Sequence, residues 1–180
     1  MTTTPWSIDA AHSSNSFFVR YMVSKVAGRF TGFVGTLALD EGDLTRSHVE
    51  AIIDARTIFT GNPERDAHLG SADFLDTEYF PELRFRSTCI ERVAETHYRV
   101  CGQLTIRDVT RPIFLDIEFG GRAIDPWGNE RAGFVARGTF DRKDFGLGWN
   151  KVLETGGVVV GDRVEIEIEL QGVRAVAAAA

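Results

Sequence analysis

The chain has 180 residues, of which 43% are hydrophobic and 26% are charged, and these proportions suit one globular domain with a sizeable core. Its formal net charge of -6 gives no electrostatic case for binding nucleic acid or an anionic membrane surface. No apolar run approaches the roughly 18 residues that span a bilayer, so we expect no stable membrane insertion. The opening MTTTPWSIDA lacks the basic and apolar regions of a signal peptide, which predicts a cytoplasmic protein.

Strand patterns dominate the chain. In order, the predicted strands lie in WSIDA, NSFFVRYM, VAGRFTGFVGTLALD, SHVEAIIDARTI, ELRFRSTCIERV, HYRVCGQLTIRDV, RPIFLDIEFGGRAID, RAGFVARGTFDRKDFG and RVEIEIELQG. Turn signals separate them, and about eight substantial strands with such turns are typical of an antiparallel sandwich or barrel. Closure at eight strands leaves an interior that side chains just fill, or one that holds a single small ligand.

Two segments interrupt the strands. NPERDAHLGSADFLDTEYFP is polar and lacks alternation, and Asn62 followed by Pro63 is a plausible helix start, so we expect one or two short helices there. GLGWNKVLETGGVVVG is flanked by glycines and is predicted to form a loop with a short helical turn. Both segments therefore sit between strands of one domain.

The last strand has the strictest pattern. Its apolar residues Val164, Ile166, Ile168 and Leu170 alternate with glutamates, which predicts one buried and one solvated face. The alanine-rich end has nothing to pack with by pattern. We therefore predict a single domain over residues 1–172 and a disordered tail over 173–180.

The two cysteines lie in neighbouring predicted strands. Uninterrupted alternation places Cys89 on the apolar face of its strand and Cys101 on the opposite face of the next strand. Opposed side chains cannot meet disulfide geometry, so we expect both thiols to be reduced.

The predicted interior combines large and small residues. The chain has 13 phenylalanines and 18 glycines, and several of both fall at inward-facing positions. Such a mixture fills the taper of a barrel or shapes an elongated apolar slot, and the pattern alone does not decide between these.

An ordered set of segments now resembles one known family. WSIDAAHS, VSKVAGRFTGFVGTL, RTIFTGNPERDAHLGSADFLD, YFPELRFRST, YRVCGQLTIRDVTRPI, RAGFVARGTFDRKDFGLGWN and LETGGVVVGDRVEIEIELQ are similar to the YceI-like family of polyisoprenoid-binding proteins, from about Trp6 to Gln171. The resemblance implies a mainly β fold, an eight-stranded antiparallel lipocalin-like β-barrel with short helices, and in many members a homodimer. It also implies an elongated apolar cavity for a long isoprenoid chain, such as a polyprenyl lipid or a quinone tail.

Residues are assigned to this site by the inward pattern and the resemblance together. The predicted cavity lining is Phe17, Val19, Tyr21, Phe33, Phe85, Leu104, Ile106, Phe114, Phe134, Phe145 and Trp149. Arg65 is the candidate for an anionic head group such as a diphosphate.

Three residues depart from the family's usual pattern: Tyr21 replaces a histidine, Asp108 a glycine and Asn15 an apolar residue. These departures concern the ligand's head group and not the fold.

Catalytic and metal chemistry receive little support. Asp9, His12 and Ser13 are triad residue types, but no G-x-S-x-G motif is present. The four histidines stand in no metal-binding spacing, so we predict no metal site and no required cofactor.

The predicted function is non-enzymatic binding, storage or transport of an isoprenoid-type lipid. The alternatives are an enzyme acting on a hydrophobic molecule in the same cavity, and a filled-core barrel acting through a protein partner.

Overall fold

The computed structural model describes residues 2–176, which form one antiparallel sheet with a single α-helix, α1, at Pro63–Leu69. The strands are β1 Thr4–Ile8, β2 Ser14–Tyr21, β3 Ser24–Phe30, β4 Phe33–Leu39, β5 His48–Asp54, β6 Ile58–Phe59, β7 Glu82–Arg92, β8 His97–Ile106, β9 Val109–Ile124, β10 Glu130–Asp141 and β11 Val160–Arg174. Short 3-10 turns span Ala10–His12, Leu44–Arg46, Ala55–Thr57 and Arg142–Phe145.

The sheet closes into a ring of eight strands in the order β1, β4, β5, β7, β8, β9, β10 and β11. Strand β11 completes the ring because its last residues pair with β1, with Gly172 opposite Ile8. Its earlier part pairs with β2, which carries β3 and β6 outside the ring. The predicted eight-stranded antiparallel barrel is therefore confirmed.

Strand β11 shows the predicted alternation. Val164 is 8% exposed, and Ile166, Ile168 and Leu170 face the interior with it. The strand runs further than expected, because Val173 pairs with Ser7. The boundary predicted at residue 172 was thus too early, since residues 173 and 174 belong to β11. Of the predicted tail, residues 177–180 lie outside the described residues.

The inserted helix begins as the sequence indicates. Asn62 caps it by accepting a hydrogen bond from the Arg65 backbone N–H, and Pro63 occupies the first turn. A helical turn was also predicted within the glycine-flanked segment GLGWNKVLETGGVVVG. The structure instead has a 3-10 turn just before that segment, at Arg142–Phe145. None of the helices in residues 2–176 has the length and apolar character to cross a membrane.

The prediction that both cysteines are reduced was wrong. Strand β7 contains a register shift between Ser87 and Cys89, so Thr88 is an extra residue relative to β8. The bulge moves Cys89 to the outer face, directly opposite Cys101, with the two Cα atoms 5.0 Å apart. The two sulfurs form a disulfide. The cytoplasmic location remains a prediction.

An ion cluster joins strand β10 to the corner between β1 and β2 and to the turn between β9 and β10. Arg131 Nη1 donates to Asp9 Oδ2 at 2.7 Å and Nε donates to Asp125 Oδ2 at 2.8 Å. The bonds from Arg131 and His12 lower the pKa of Asp9 to about 2. Burial raises the pKa of Asp125, but bonds from Arg131 and Asn129 outweigh it and lower that pKa to about 2. The cluster ties the β9–β10 hairpin to the β1–β2 corner.

We expect Arg131→Gln to lower the free energy of unfolding, most strongly above about pH 4. Both aspartates have folded-state pKa values of about 2, below the usual 3.8, so their ionised forms stabilise the folded barrel above pH 3.8. This contribution is lost as the pH falls towards 2. Without Arg131 the two pKa values rise, so the parent and the variant should converge at low pH. Urea unfolding over a pH series measures the difference.

Arg137→Gln serves as the control. Arg137 pairs with Glu167 on the exposed surface at 3.4 Å, where an ion pair contributes little. Equal losses for the two variants, independent of pH, would contradict the role assigned to the cluster.

Candidate functional site

The barrel encloses an elongated cavity of about 780 Å³. Aliphatic and aromatic side chains from nearly every strand form its wall, including the inward face of β11. Polar residues are few along the wall. A continuous apolar space of this kind suits a long hydrocarbon chain better than a compact polar metabolite.

The exposed lining residues mark an opening of the cavity. Among its lining residues, the ones that are largely exposed are Arg20, Tyr21, Asn62 and Glu64. The first two end strand β2 and the last two begin α1, so the mouth lies between this strand end and the helix. Charged and polar groups therefore gather at the rim, while the interior is apolar.

An aromatic cluster forms one wall below the rim. The His68 ring packs edge-on against Trp149, with ring centroids 4.5 Å apart, and against Phe74 at 5.1 Å. His68 Nε2 lies 2.8 Å from Asp73 Oδ2, which holds the imidazole in place. The cluster thus attaches helix α1 and the segment after it to the loop before β11.

Arg142 is a buried cation beside the same wall, 3% exposed. Its Nη1 donates to the carbonyls of Leu147 at 2.6 Å and Trp149 at 2.8 Å, and its Nε donates to Gly161 at 2.8 Å. Burial lowers the pKa of this guanidinium, and Asp162 partly offsets that effect. Because backbone carbonyls occupy its donors, Arg142 positions the Trp149 segment and does not present a free charge to the cavity.

Most predicted lining residues lie on the cavity wall. Those on the wall are Phe17, Val19, Tyr21, Phe33, Phe85, Leu104, Ile106, Phe134 and Trp149. Arg65 also lines the cavity near the mouth, where its Nε donates to Thr60 Oγ1 at 2.7 Å and its Nη2 to the Thr60 carbonyl at 2.8 Å. Whether these residues contact a ligand stays a prediction.

Two predicted lining residues do not reach the cavity. Phe114 is 60% exposed, because Ile113 and Leu115 on either side of it face inward and alternation places Phe114 outside. Phe145 is buried, but it packs edge-on against Phe140 with centroids 5.2 Å apart and lies off the cavity wall. The assignment of both residues to the lining was therefore wrong.

The sequence interpretation missed His68, Phe74 and Arg142. His68 and Phe74 belong to a polar insertion with no strand pattern, and Arg142 sits in the charged string DRKDF, which is typical of a solvated surface. Nothing in these strings indicates that they meet around Trp149. The inward face of β11, by contrast, was visible in its alternation.

Glycines opposite the aromatic residues shape the wall. Gly28 pairs with Phe17 across β2 and β3, and a methyl group at Gly28 would collide with the Phe17 ring. Gly102 on β8 lies under the Phe85 ring in the same way. Each ring therefore lies flat against the neighbouring strand, which keeps the centre of the barrel open.

Catalytic groupings are not assembled at the predicted positions. Ser13 Oγ accepts from the Gln171 backbone N–H at 2.9 Å, and the Asp9–His12 contact is exposed. Ser71 Oγ donates to the His68 carbonyl at 2.6 Å and not to the imidazole. Residues 2–176 contain no group of three or more His, Cys, Asp or Glu placed to hold a metal ion.

We expect Gly28→Ala to narrow the cavity and to destabilise the fold by about 1–3 kcal/mol, because the added methyl displaces the Phe17 ring from the wall. Thermal unfolding measures the cost, and uptake of a long apolar fluorophore measures the cavity. In a Phe17→Leu background the same change should cost much less, since the ring is gone.

Gly133→Ala is the matched control. A methyl group there meets nothing within 4 Å, so we expect a change within about 0.5 kcal/mol. Similar effects at Gly28 and Gly133, or an undiminished cost in the Phe17→Leu background, would refute the packing explanation.

Known proteins resemble this chain in sequence and in architecture. A protein-family model described as a YceI-like domain matches residues 6–172. A UPF0312 protein of Staphylococcus aureus is 36% identical over 166 residues, which cover 91% of this chain and 94% of that protein. A UPF0312 protein of Vibrio parahaemolyticus is 34% identical over 167 residues, with 91% and 83% of the two chains covered.

Solved structures also resemble this barrel. A YceI protein of Campylobacter jejuni is 26% identical with a TM-score of 0.75, over 87% of this chain and 90% of that one. BcnA of Burkholderia cenocepacia, 21% identical, matches the fold with a TM-score of 0.80 over 91% and 98%. A polyisoprenoid-binding domain of Saccharophagus degradans, 13% identical, has a TM-score of 0.67 over 94% and 98%. On the family match and the curated relatives, this chain belongs to the YceI-like family.

Proposed function

We propose that this protein binds a long-chain isoprenoid-type lipid and stores or transports it without chemical change. The observation that carries the proposal is the continuous apolar cavity of about 780 Å³ with a polar rim. Its shape suits a molecule with one long apolar chain and one polar end. A polyprenyl lipid or a quinone with an isoprenoid tail has this form.

The driving force is burial of the chain. Each methylene removed from water contributes about 0.8 kcal/mol, so several isoprene units suffice to offset the ordering cost of a flexible ligand. The flat Phe17 and Phe85 rings offer a smooth wall along which such a chain can lie. The name of the Saccharophagus degradans domain supports the same class of ligand for this barrel.

The two alternatives are less well supported. A filled barrel acting through a protein partner does not account for so large an interior space. An enzyme requires a reactive group in the cavity. The imidazole of His68 packs against Trp149 and contacts Asp73, and no hydroxyl of residues 2–176 donates to it. A homodimer remains a prediction from the family resemblance.

Native mass spectrometry of freshly purified protein tests the proposal. We expect a stoichiometric lipid mass that is lost on denaturation and that organic extraction identifies. Ala136→Phe should lower lipid occupancy roughly tenfold or more, because Ala136 lies on the cavity wall, 6% exposed, and a phenyl ring there occupies the slot.

Phe114→Ala is the matched control, since it removes an equal ring from the outer surface and should leave occupancy unchanged. A lipid-free parent protein that takes up neither quinones nor polyprenyl phosphates would overturn the proposal. Circular dichroism of Ala136→Phe distinguishes a blocked cavity from an unfolded protein.

Arg65 is proposed to contact an anionic head group at the rim. We expect the parent protein to bind a polyprenyl phosphate more tightly than the uncharged polyprenol of equal length, and Arg65→Gln to reduce that preference roughly threefold to tenfold. Added salt should reduce the parent's preference as well, because the rim is exposed. Competition binding against a fluorescent lipid measures both.

Arg84→Gln is the control for charge alone. Arg84 pairs with Glu82 on the outside of β7, away from the cavity lining. If both arginine variants change the preference equally, the contact assigned to Arg65 is refuted and a general charge effect explains the result.

A further inference from the structure

A buried amide interrupts the apolar wall of the cavity. Asn15 lies on β2, is 9% exposed and faces the cavity in line with Phe17 and Val19. The Phe30 backbone N–H donates to its Oδ1 at 3.0 Å. A backbone N–H needs an acceptor, so this bond fixes which end of the amide is the oxygen and leaves the Nδ2 end free of that contact.

The Nδ2 group has hydrogens to donate and no acceptor within the described chain. Four buried side-chain atoms in residues 2–176 lack a hydrogen-bond partner: Trp6 Nε1, Asn15 Nδ2, Arg107 Nε and Asp162 Oδ1. Of these four residues, Asn15 is the one that lines the cavity. A buried donor without a partner is unfavourable, and a ligand oxygen placed here would satisfy it.

The surroundings limit which oxygen fits. Ile168 lies opposite Asn15 on β11, and Phe17 and Phe30 are close along the sheet. An ionised group placed among these apolar side chains would be buried with one neutral amide as its partner, which is costly. A carbonyl, ether or hydroxyl oxygen accepts the bond without that cost.

The depth of the amide separates it from the rim. Tyr21 at the mouth lies six residues after Asn15 along β2, which at about 3.3 Å per residue corresponds to about 20 Å along the strand. A head group placed beside Tyr21 therefore cannot be the group that meets Asn15. The partner is a second polar point on the ligand, deep inside the barrel.

We propose that Asn15 forms an internal subsite that selects lipids carrying a neutral oxygen acceptor along or at the inner end of their chain. This inference rests on the proposed function, since the chain must enter the cavity to reach Asn15. It narrows the ligand class from any long hydrocarbon to one with a carbonyl, ether or hydroxyl group about 20 Å from the mouth.

The test uses straight-chain probes of one length: an alkane and a series of ketones whose carbonyl moves stepwise along the chain. We expect the parent protein to bind one or two neighbouring ketone isomers roughly tenfold more tightly than the alkane. Asn15→Leu should remove this preference and leave alkane binding unchanged. The infrared carbonyl band of the preferred ketone should shift to lower frequency in the parent and not in Asn15→Leu.

Asn15→Asp provides a second variant that keeps the acceptor for Phe30. Its carboxyl group would be buried among apolar side chains, so its pKa should be raised. We expect the ketone preference at low pH, where the protonated group can donate, and its loss at high pH. A purely structural role for Asn15 does not produce this pH-dependent rescue.

The outcomes separate the two proposals. If neither alkane nor ketones bind the parent, the lipid-binding function fails and the subsite fails with it. If the alkane binds and every ketone binds equally well, the function stands and the subsite is overturned. If Asn15→Leu keeps the preference for the same isomer, the acceptor is recognised by another group and the assignment to Asn15 is wrong.

Discussion

A barrel can close only where its last strand finds a free edge to pair with, and strand β11 meets this requirement with two partners on one side. It pairs first with β2 and then with β1, while β10 follows its other edge. The 3-10 turn at Ala10–His12 lies between β1 and β2, so the two strands follow one edge of β11 in succession. The other edge of β1 pairs with β4, and the other edge of β2 pairs with β3. Closure at one end and the position of the mouth at the other both depend on this divided pairing.

The open interior follows from how the large side chains are accommodated. An eight-stranded barrel is narrow enough for phenylalanines to fill it. Here Phe17 and Phe85 lie over glycines of the adjacent strands, so their volume is taken up at the wall. The same composition with alanines at Gly28 and Gly102 would push both rings towards the axis. Cavity volume is therefore set by pairs of residues on neighbouring strands rather than by any one lining residue.

Period-two alternation was sufficient to predict most of the strands, and together with the family resemblance it predicted the barrel and most of its inward face. The prediction failed where a bulge interrupts the alternation of a strand and where the two residues beside a predicted inward residue already face the interior. The bulge at Thr88 reverses the face of Cys89, and a single-strand pattern contains no signal for it. Phe114 was assigned inward although Ile113 and Leu115 already occupied that face. Arg142 could not be predicted, because its carbonyl partners come together only in the folded chain.

The placement of charge suggests how the two polar points of the cavity divide the recognition of a ligand. Arg142 is buried, but four backbone carbonyls occupy its donors, so it offers little to an anion. Arg131 is committed to Asp9 and Asp125 at the far end. Among the described arginines that line the cavity, those able to meet an anionic head group are Arg20 and Arg65 at the rim. Inside the barrel the neutral amide of Asn15 offers a donor that can discriminate among chains without the desolvation cost of an ion. Recognition of the head group and of the chain can therefore vary independently in this barrel.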